Sequence, residues 1–274
     1  MTSAAARGLL VATLILTPAL VLPGLASDST QIVILVALLA GVLTFVEYNS
    51  VFPSIVEFRN AAPFNRLRFT ALFANVLLLS LILKGINDPT LATSALTSIG
   101  MIVGNAIDFP YSPVRLIVLM LPPDASYETV NFVRTAAGLA YVISLVAMTA
   151  FLILVRVLGW PARAGAFNVW VNLPLFDPTT GGDVVERLHR HGRINIALGF
   201  LLPFLVPAVV KLAADLIDPV TLQHPQTLIW TITAWAFLPA SIIMRGIAIG
   251  KIADMIADKR KRAYAETDDG FQAA

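Results

Sequence analysis

Seven apolar runs, each free of Asp, Glu, Lys and Arg, dominate this sequence and leave it one solvent in which to fold. They are Gly8 to Ser27, Ser29 to Val46, Phe69 to Leu83, Pro89 to Ile107, Thr135 to Val155, Ile194 to Val210 and Thr227 to Met244. A helix crosses the hydrocarbon of a bilayer with about 20 mostly apolar residues, range about 17–25. Phe69 to Leu83 is short by that rule, but Arg68 and Lys84 bound it, and their long stems reach the headgroups from slightly inside. Composition agrees. Charged residues make up 13% of the chain and hydrophobic ones 57%, against about 25% and roughly 45–50% in soluble domains. The mean hydropathy is +0.80. So little charge cannot cover a soluble surface, and so much apolar surface excludes disorder. The sequence therefore predicts an all-α, polytopic transmembrane helical bundle.

The basic residues decide how many runs cross, because Lys and Arg near spans collect on the cytoplasmic side. If all seven cross, the better orientation puts twelve of the nineteen inside. If Pro89 to Ile107 does not cross and the N-terminus is inside, Arg7, Arg59, Arg66, Arg68, Arg156, Arg163, Arg187, Arg190, Arg193, Arg245, Lys251 and the run Lys259-Arg-Lys-Arg262 share the inner side. Only Lys84, Arg115, Arg134 and Lys211 are left outside. The second split is the sharper. It predicts about six spans, both termini cytoplasmic, in a bacterial-style inner (plasma) membrane. Residues 1–262 form one transmembrane domain, and 263–274 read as a disordered tail. A rival reading makes residues 1–26 a signal peptide, with Gly24-Leu25-Ala26 as the cleavage site.

Six spans leave residues 85–133 outside, and they are too apolar for a loop. Pro89 to Ile107 and Leu116 to Leu121, joined by a proline-rich turn, read as a re-entrant hairpin or interfacial helices. Thr93, Thr97, Gly100, Gly104 and Asp108 share one helical face, and Gly100 to Gly104 is a GxxxG pattern that admits a close helix. Gly246 to Gly250 is a second one. Helix packing is the plainer expectation for both; along the Thr93–Asp108 stripe a solute pathway or a subunit contact is the sharper one. Asp108 and Arg115 are expected to pair or to face water.

Two inner loops are amphipathic. Glu47 to Arg68 mixes Phe52, Ile55, Val56, Phe58 and Phe64 with Glu57 and Arg59, which suits an interfacial helix. Phe167, Val169, Val171, Leu173 and Leu175 alternate and predict extended chain. Asp183 to Arg193 reads as a short separate helix. The contiguous basic run 259–262 is expected to meet anionic lipid headgroups, and no nucleic-acid partner is expected.

Catalytic signals are sparse. The chain lacks cysteine, which removes disulfides, thiolate nucleophiles and iron–sulfur ligation. Its three histidines are too few for two b-type haems held by histidine pairs. His189-Arg-His191 has no cysteine or third histidine nearby to complete a metal site; Asp183 and Glu186 are the ligands it could recruit, and a solvated helix face is the plainer expectation. Phosphate-loop, HExxH and GxSxG patterns do not occur. No catalytic residue, metal or cofactor is expected. The polar candidates are Asn75, Thr93, Thr97, Asn105, Asp108, Lys211 and Asp215, grouped by depth into one outward-facing cavity. Asn75 is expected to bond a neighbouring helix rather than a ligand, and an ion pair one turn apart is the simple account of Lys211 with Asp215. The leading functional expectation is a non-enzymatic accessory, assembly or scaffold component with lipid and other membrane subunits as partners. A small-solute transporter or channel, and a membrane enzyme acting on a lipid-borne substrate, are the alternatives.

Overall fold

The computed structural model describes residues 1–22, 27–161, 168–177, 179, 181–213 and 225–272. Every regular element among them is a helix: α1 (Thr2–Val21), α2 (Ser27–Asn49), α3 (Phe64–Asn87), α4 (Leu91–Ile107), α5 (Pro113–Leu119), α6 (Tyr127–Arg156), α7 (Val169–Asn172), α8 (Val184–Ala213) and α9 (Pro225–Gln272). Six of these, α1, α2, α3, α6, α8 and α9, are long and apolar enough to cross a membrane, and α4 is a shorter apolar helix. The chain is a multi-pass helical bundle. Helix is the form that satisfies every backbone N–H and C=O within one segment when no water is at hand.

Small residues set the packing. Between helices in lipid there is no hydrophobic drive, so close van der Waals approach does the work. A Cβ at Gly8 would stand 2.5 Å from the carbonyl oxygen of Gly41, which brings α1 and α2 together as a hairpin. Gly192 of α8 lies against the carbonyl of Gly246 on α9, and Gly199 against that of Pro239. On α4, Gly100 meets Thr135 and Gly104 meets the backbone of Arg134, both on α6. These contacts, with that of Gly85 and Thr93, keep α4 beside the end of α3 and the start of α6. The centre is α3, α6 and α9; α8 lies along α9, and α2 packs on α1.

Prolines in α8 leave a polar vacancy that a neighbour fills. Pro207 has no N–H to donate to the carbonyl of Pro203 four residues back. Trp235 of α9 donates its Nε1–H to that oxygen instead, at 3.0 Å.

Two clusters hold most of the described core, with a small third of Ala71, Ala147 and Phe237. Toward one end Val76, Leu79, Val133, Ala136, Ile229 and Ile232 are buried together. Toward the other, Phe58, Phe64, Phe151 and Trp160 form a chain of ring contacts at 4.5, 5.1 and 5.1 Å. Trp160 anchors it by donating to the carbonyl of Ala61 at 3.1 Å. This second end gathers the start of α1, the end of α2, the start of α3, the end of α6, the start of α8 and the far half of α9, so most basic residues share it. It is called the basic end below.

The loops depart from expectation. Residues 50–63 form turns and not an interfacial helix, because Phe58 and Phe64 turn into the aromatic core while Val51, Phe52 and Ile55 remain exposed. Val169–Asn172 is a helical turn where alternation predicted extended chain; Leu173 and Phe176 are buried, and Leu175 is exposed. Phe167 lies outside the described residues. The expected short helix at 183–193 and the fifth span are one continuous helix, α8, since adding a turn to an existing helix needs no new nucleus. The same reason carries α9 as helix to Gln272, through the tail expected to be disordered. The cleavage-site residues 23–26 are outside the described set.

Candidate functional site: a basic cleft and two buried ion clusters

Charged side chains near lipid are costly unless paired, and their pairing tells structure from function. At the end away from the basic one, α4 stops at Asp108. Its side chain is 5% exposed and lies 2.6 Å from Arg134 Nε and 2.9 Å from Arg115 Nε. The Arg134 contact is an aligned hydrogen bond to Oδ2; the Arg115 contact to Oδ1 is a charge contact without that alignment. Arg134 also donates to Asn131 at 2.6 Å. One carboxylate thus ties α4, α5 and α6.

None of the other described members of the expected outward cavity bonds to the Asp108 carboxylate, whose partners are Arg115 and Arg134. Asn75 is fully buried and donates to Ser144 Oγ at 3.2 Å between α3 and α6, while its Oδ1 has no partner among the described residues. Thr93 completes a capping box with Thr90, and Thr97 donates to the carbonyl of Thr93, so both serve α4 itself. Asn105 is exposed, and Lys211 is exposed on the last turn of α8. Asp215 lies outside the described residues. Gly100 and Gly104 face α6; Gly246 faces α8, and Gly250 faces open space.

The basic end holds a cluster that composition alone did not single out. Glu57, 8% exposed, receives two hydrogen bonds from Arg245, the second at 2.7 Å to Oε1. Arg68 donates to Ser241 at 2.8 Å and lies over the Phe64 ring. Two guanidiniums and one carboxylate therefore share a largely buried site. A readable signal existed: Glu57 sits in an apolar loop, and Arg245 interrupts an otherwise apolar helix. Glu47 is committed too, accepting from the backbone N–H groups of Ser54, Ile55 and Val56.

Beside that cluster a cleft of about 400 Å³ opens between α6, α8 and α9. Its polar rim is Arg156, His189, Arg193, Lys251 and Asp254. His189 Nε2 lies 3.5 Å from Asp254 Oδ1. His191 instead packs edge-on to Phe176. Among the described residues no group of three or more His, Asp or Glu side chains is placed to hold a metal.

Asp183, just before α8, accepts from Arg260 of α9 at 2.7 Å and from its own Val185 N–H at 3.1 Å. The Arg260 hydrogen bond, then that backbone bond, hold its carboxyl below the ordinary aspartate range. A depressed folded value means the contact stabilises above the unfolded pKa and is lost as pH falls through the folded one. An NMR titration should therefore place Asp183 below free aspartate, and Arg260→Gln should move it back up. No movement in that variant would show that the pair does not persist in solution.

These features define a multi-pass helical membrane protein with one basic, partly open end. No protein-family model, curated protein or solved structure matches this chain.

Proposed function

We propose that this protein is a non-enzymatic accessory, assembly or scaffold component of a membrane complex. The observation that carries the reading is α2. In its most apolar stretch only 6% of residues are buried. Leu35, Leu38, Leu39, Val42 and Leu43 are all at least half exposed, and its packing is with α1 through Ala37 and Gly41. A span whose main neighbour among the described helices is α1 keeps most of its circumference for lipid or for another subunit. The reading also draws on Glu47, Glu57 and Asp108, whose carboxylates are each committed to contacts within the chain.

By the same proposal the basic end is cytoplasmic, following the bias of Lys and Arg. The membrane is the cell's inner membrane. α4 and α5, joined through Asp108, then form a re-entrant or interfacial hairpin on the outer side.

The test is gentle detergent extraction from native membranes followed by mass measurement of the intact species. The expected result is a particle heavier than one chain, reduced to the single chain by Leu39→Asn and Val42→Asn on the outer face of α2. A wild-type protein that travels alone would overturn the proposal.

A further inference from the structure

The geometry points to the cleft between α6, α8 and α9 as a binding site for the phosphate headgroup of an anionic phospholipid, with an acyl chain along its inner wall. The inference is independent of the subunit reading above.

Three helices repeat one pattern on their cleft-facing sides. In α6, Leu152 lies one turn deeper than Arg156; in α8, Ile196 lies one turn deeper than Arg193; in α9, Ile247 lies one turn deeper than Lys251. Residues three or four apart share a helix face. Each wall therefore offers a cation at the rim and an aliphatic side chain below it. Leu152 and Ile196 are 40% and 41% exposed.

The charge is available. Arg115, Arg134, Arg245 and Arg260 all have carboxylate partners. Arg156, Arg193 and Lys251 make no ion pair or side-chain hydrogen bond with a described residue. The rim's one carboxylate, Asp254, lies toward His189. Three cations on one opening, without an ion-pair partner among the described residues, favour a phosphate anion, which accepts several charge-assisted hydrogen bonds at once. Basic clefts between spans at the cytoplasmic surface are suited to such headgroups.

The space is kept open by glycine. Gly192 holds α8 close to α9, with an added Cβ only 3.0 Å from the carbonyl of Gly246. Gly250 also lines the cleft, but a Cβ there would meet nothing within 4 Å. A volume of about 400 Å³ falls within the roughly 300–1,000 Å³ of small-molecule sites. A free phosphate would use the rim and leave the aliphatic wall wet, which is why a lipid is the better occupant.

The experiment uses the full chain in nanodiscs of phosphatidylcholine doped with phosphatidylglycerol, with retained lipid counted by native mass spectrometry. Wild type should retain phosphatidylglycerol over phosphatidylcholine. Each rim cation near the headgroup contributes roughly fivefold, so Arg193→Gln with Lys251→Gln should weaken retention about thirtyfold. Gly250→Leu should weaken it comparably by filling the space with the charge intact. Lys259→Gln with Lys261→Gln removes equal charge from the exposed run and should change retention by less than about twofold at physiological salt. If the tail variant loses as much as the rim variant, diffuse electrostatics explains the binding and the site is refuted. Wild-type retention in a folded Gly250→Leu protein refutes the cleft as the location; if that variant does not fold, the rim pair still decides. Release of phosphatidylglycerol by excess inorganic phosphate would reassign the site to free phosphate.

Discussion

Glu57→Ala is expected to lower the unfolding free energy in detergent micelles by about 3 kcal/mol, at the low end of what breaking a buried ion pair costs. The carboxylate is 8% exposed and its partner Arg245 is 28% exposed, so the abandoned guanidinium regains only part of its hydration. Arg68, held by Ser241 and the Phe64 ring, would lose its nearby countercharge as well. The loss should therefore exceed that of an exposed pair, which is typically about 0.2–1 kcal/mol. Adding Arg245→Met removes the stranded cation while keeping an unbranched apolar stem. The double variant should be more stable than Glu57→Ala alone, by about 1 kcal/mol or more. Unfolding by heat or by added ionic detergent provides the measurement. A Glu57→Ala protein within about 0.5 kcal/mol of wild type, the range of ordinary surface substitutions, would mean the pair is not buried as described.

The second large effect is expected at the crossing of α4 and α6. A Cβ at Gly138 would lie 2.5 Å from Gly104 Cα and 2.9 Å from Gly104 N. Both atoms are backbone, so no rotamer change relieves the clash and the helices must separate. Overpacking of this kind costs about 1–3 kcal/mol. Here it has a consequence further along the chain, because Asp108 is one turn beyond Gly104. Moving α4 outward stretches the hydrogen bond between Asp108 and Arg134. Gly138→Ala should therefore lose about 2 kcal/mol or more, and a double-mutant cycle should show weaker coupling between Asp108 and Arg134 in its background. Gly250→Ala is the matched control, since its added methyl meets nothing within 4 Å. If both glycine variants melt alike, close approach is not what holds α4 in place.

Much of the architecture was legible because lipid imposes a simple rule. Uncharged runs long enough to cross become helices, and six of the seven runs correspond to the long apolar helices. The pairing of Asp108 with Arg115 and the bond from Asn75 to another helix were also readable, since polar groups in lipid need partners within reach. The cavity proposed from Asn75, Thr93, Thr97, Asn105, Asp108, Lys211 and Asp215 rested on residue type and expected depth. Depth does not say which way a helix is rotated or which helix stands beside it. Asn75 accordingly sits between α3 and α6, while Lys211 is on a helix whose main neighbour is α9.

The loops were the hardest to read. Phe58, Glu57 and Leu173 belong to segments whose local pattern is ambiguous, and each is decided by a residue far away in sequence. Glu57 meets Arg245; Phe58 meets Phe64 and Trp160, and its N–H donates to the carbonyl of Asn172 at 2.7 Å.

By itself, then, the sequence determined the solvent, the helical class and the number of long apolar helices. All of these follow from one-dimensional hydrophobicity and charge, because a bilayer sorts residues along a single axis. Only the tertiary structure decided which helices touch and which ions are neutralised by a described partner. Those depend on rotation about each helix axis and on long-range neighbours. That is why Arg245 is a structural partner while Lys251, six residues further along the same helix, faces an open cleft.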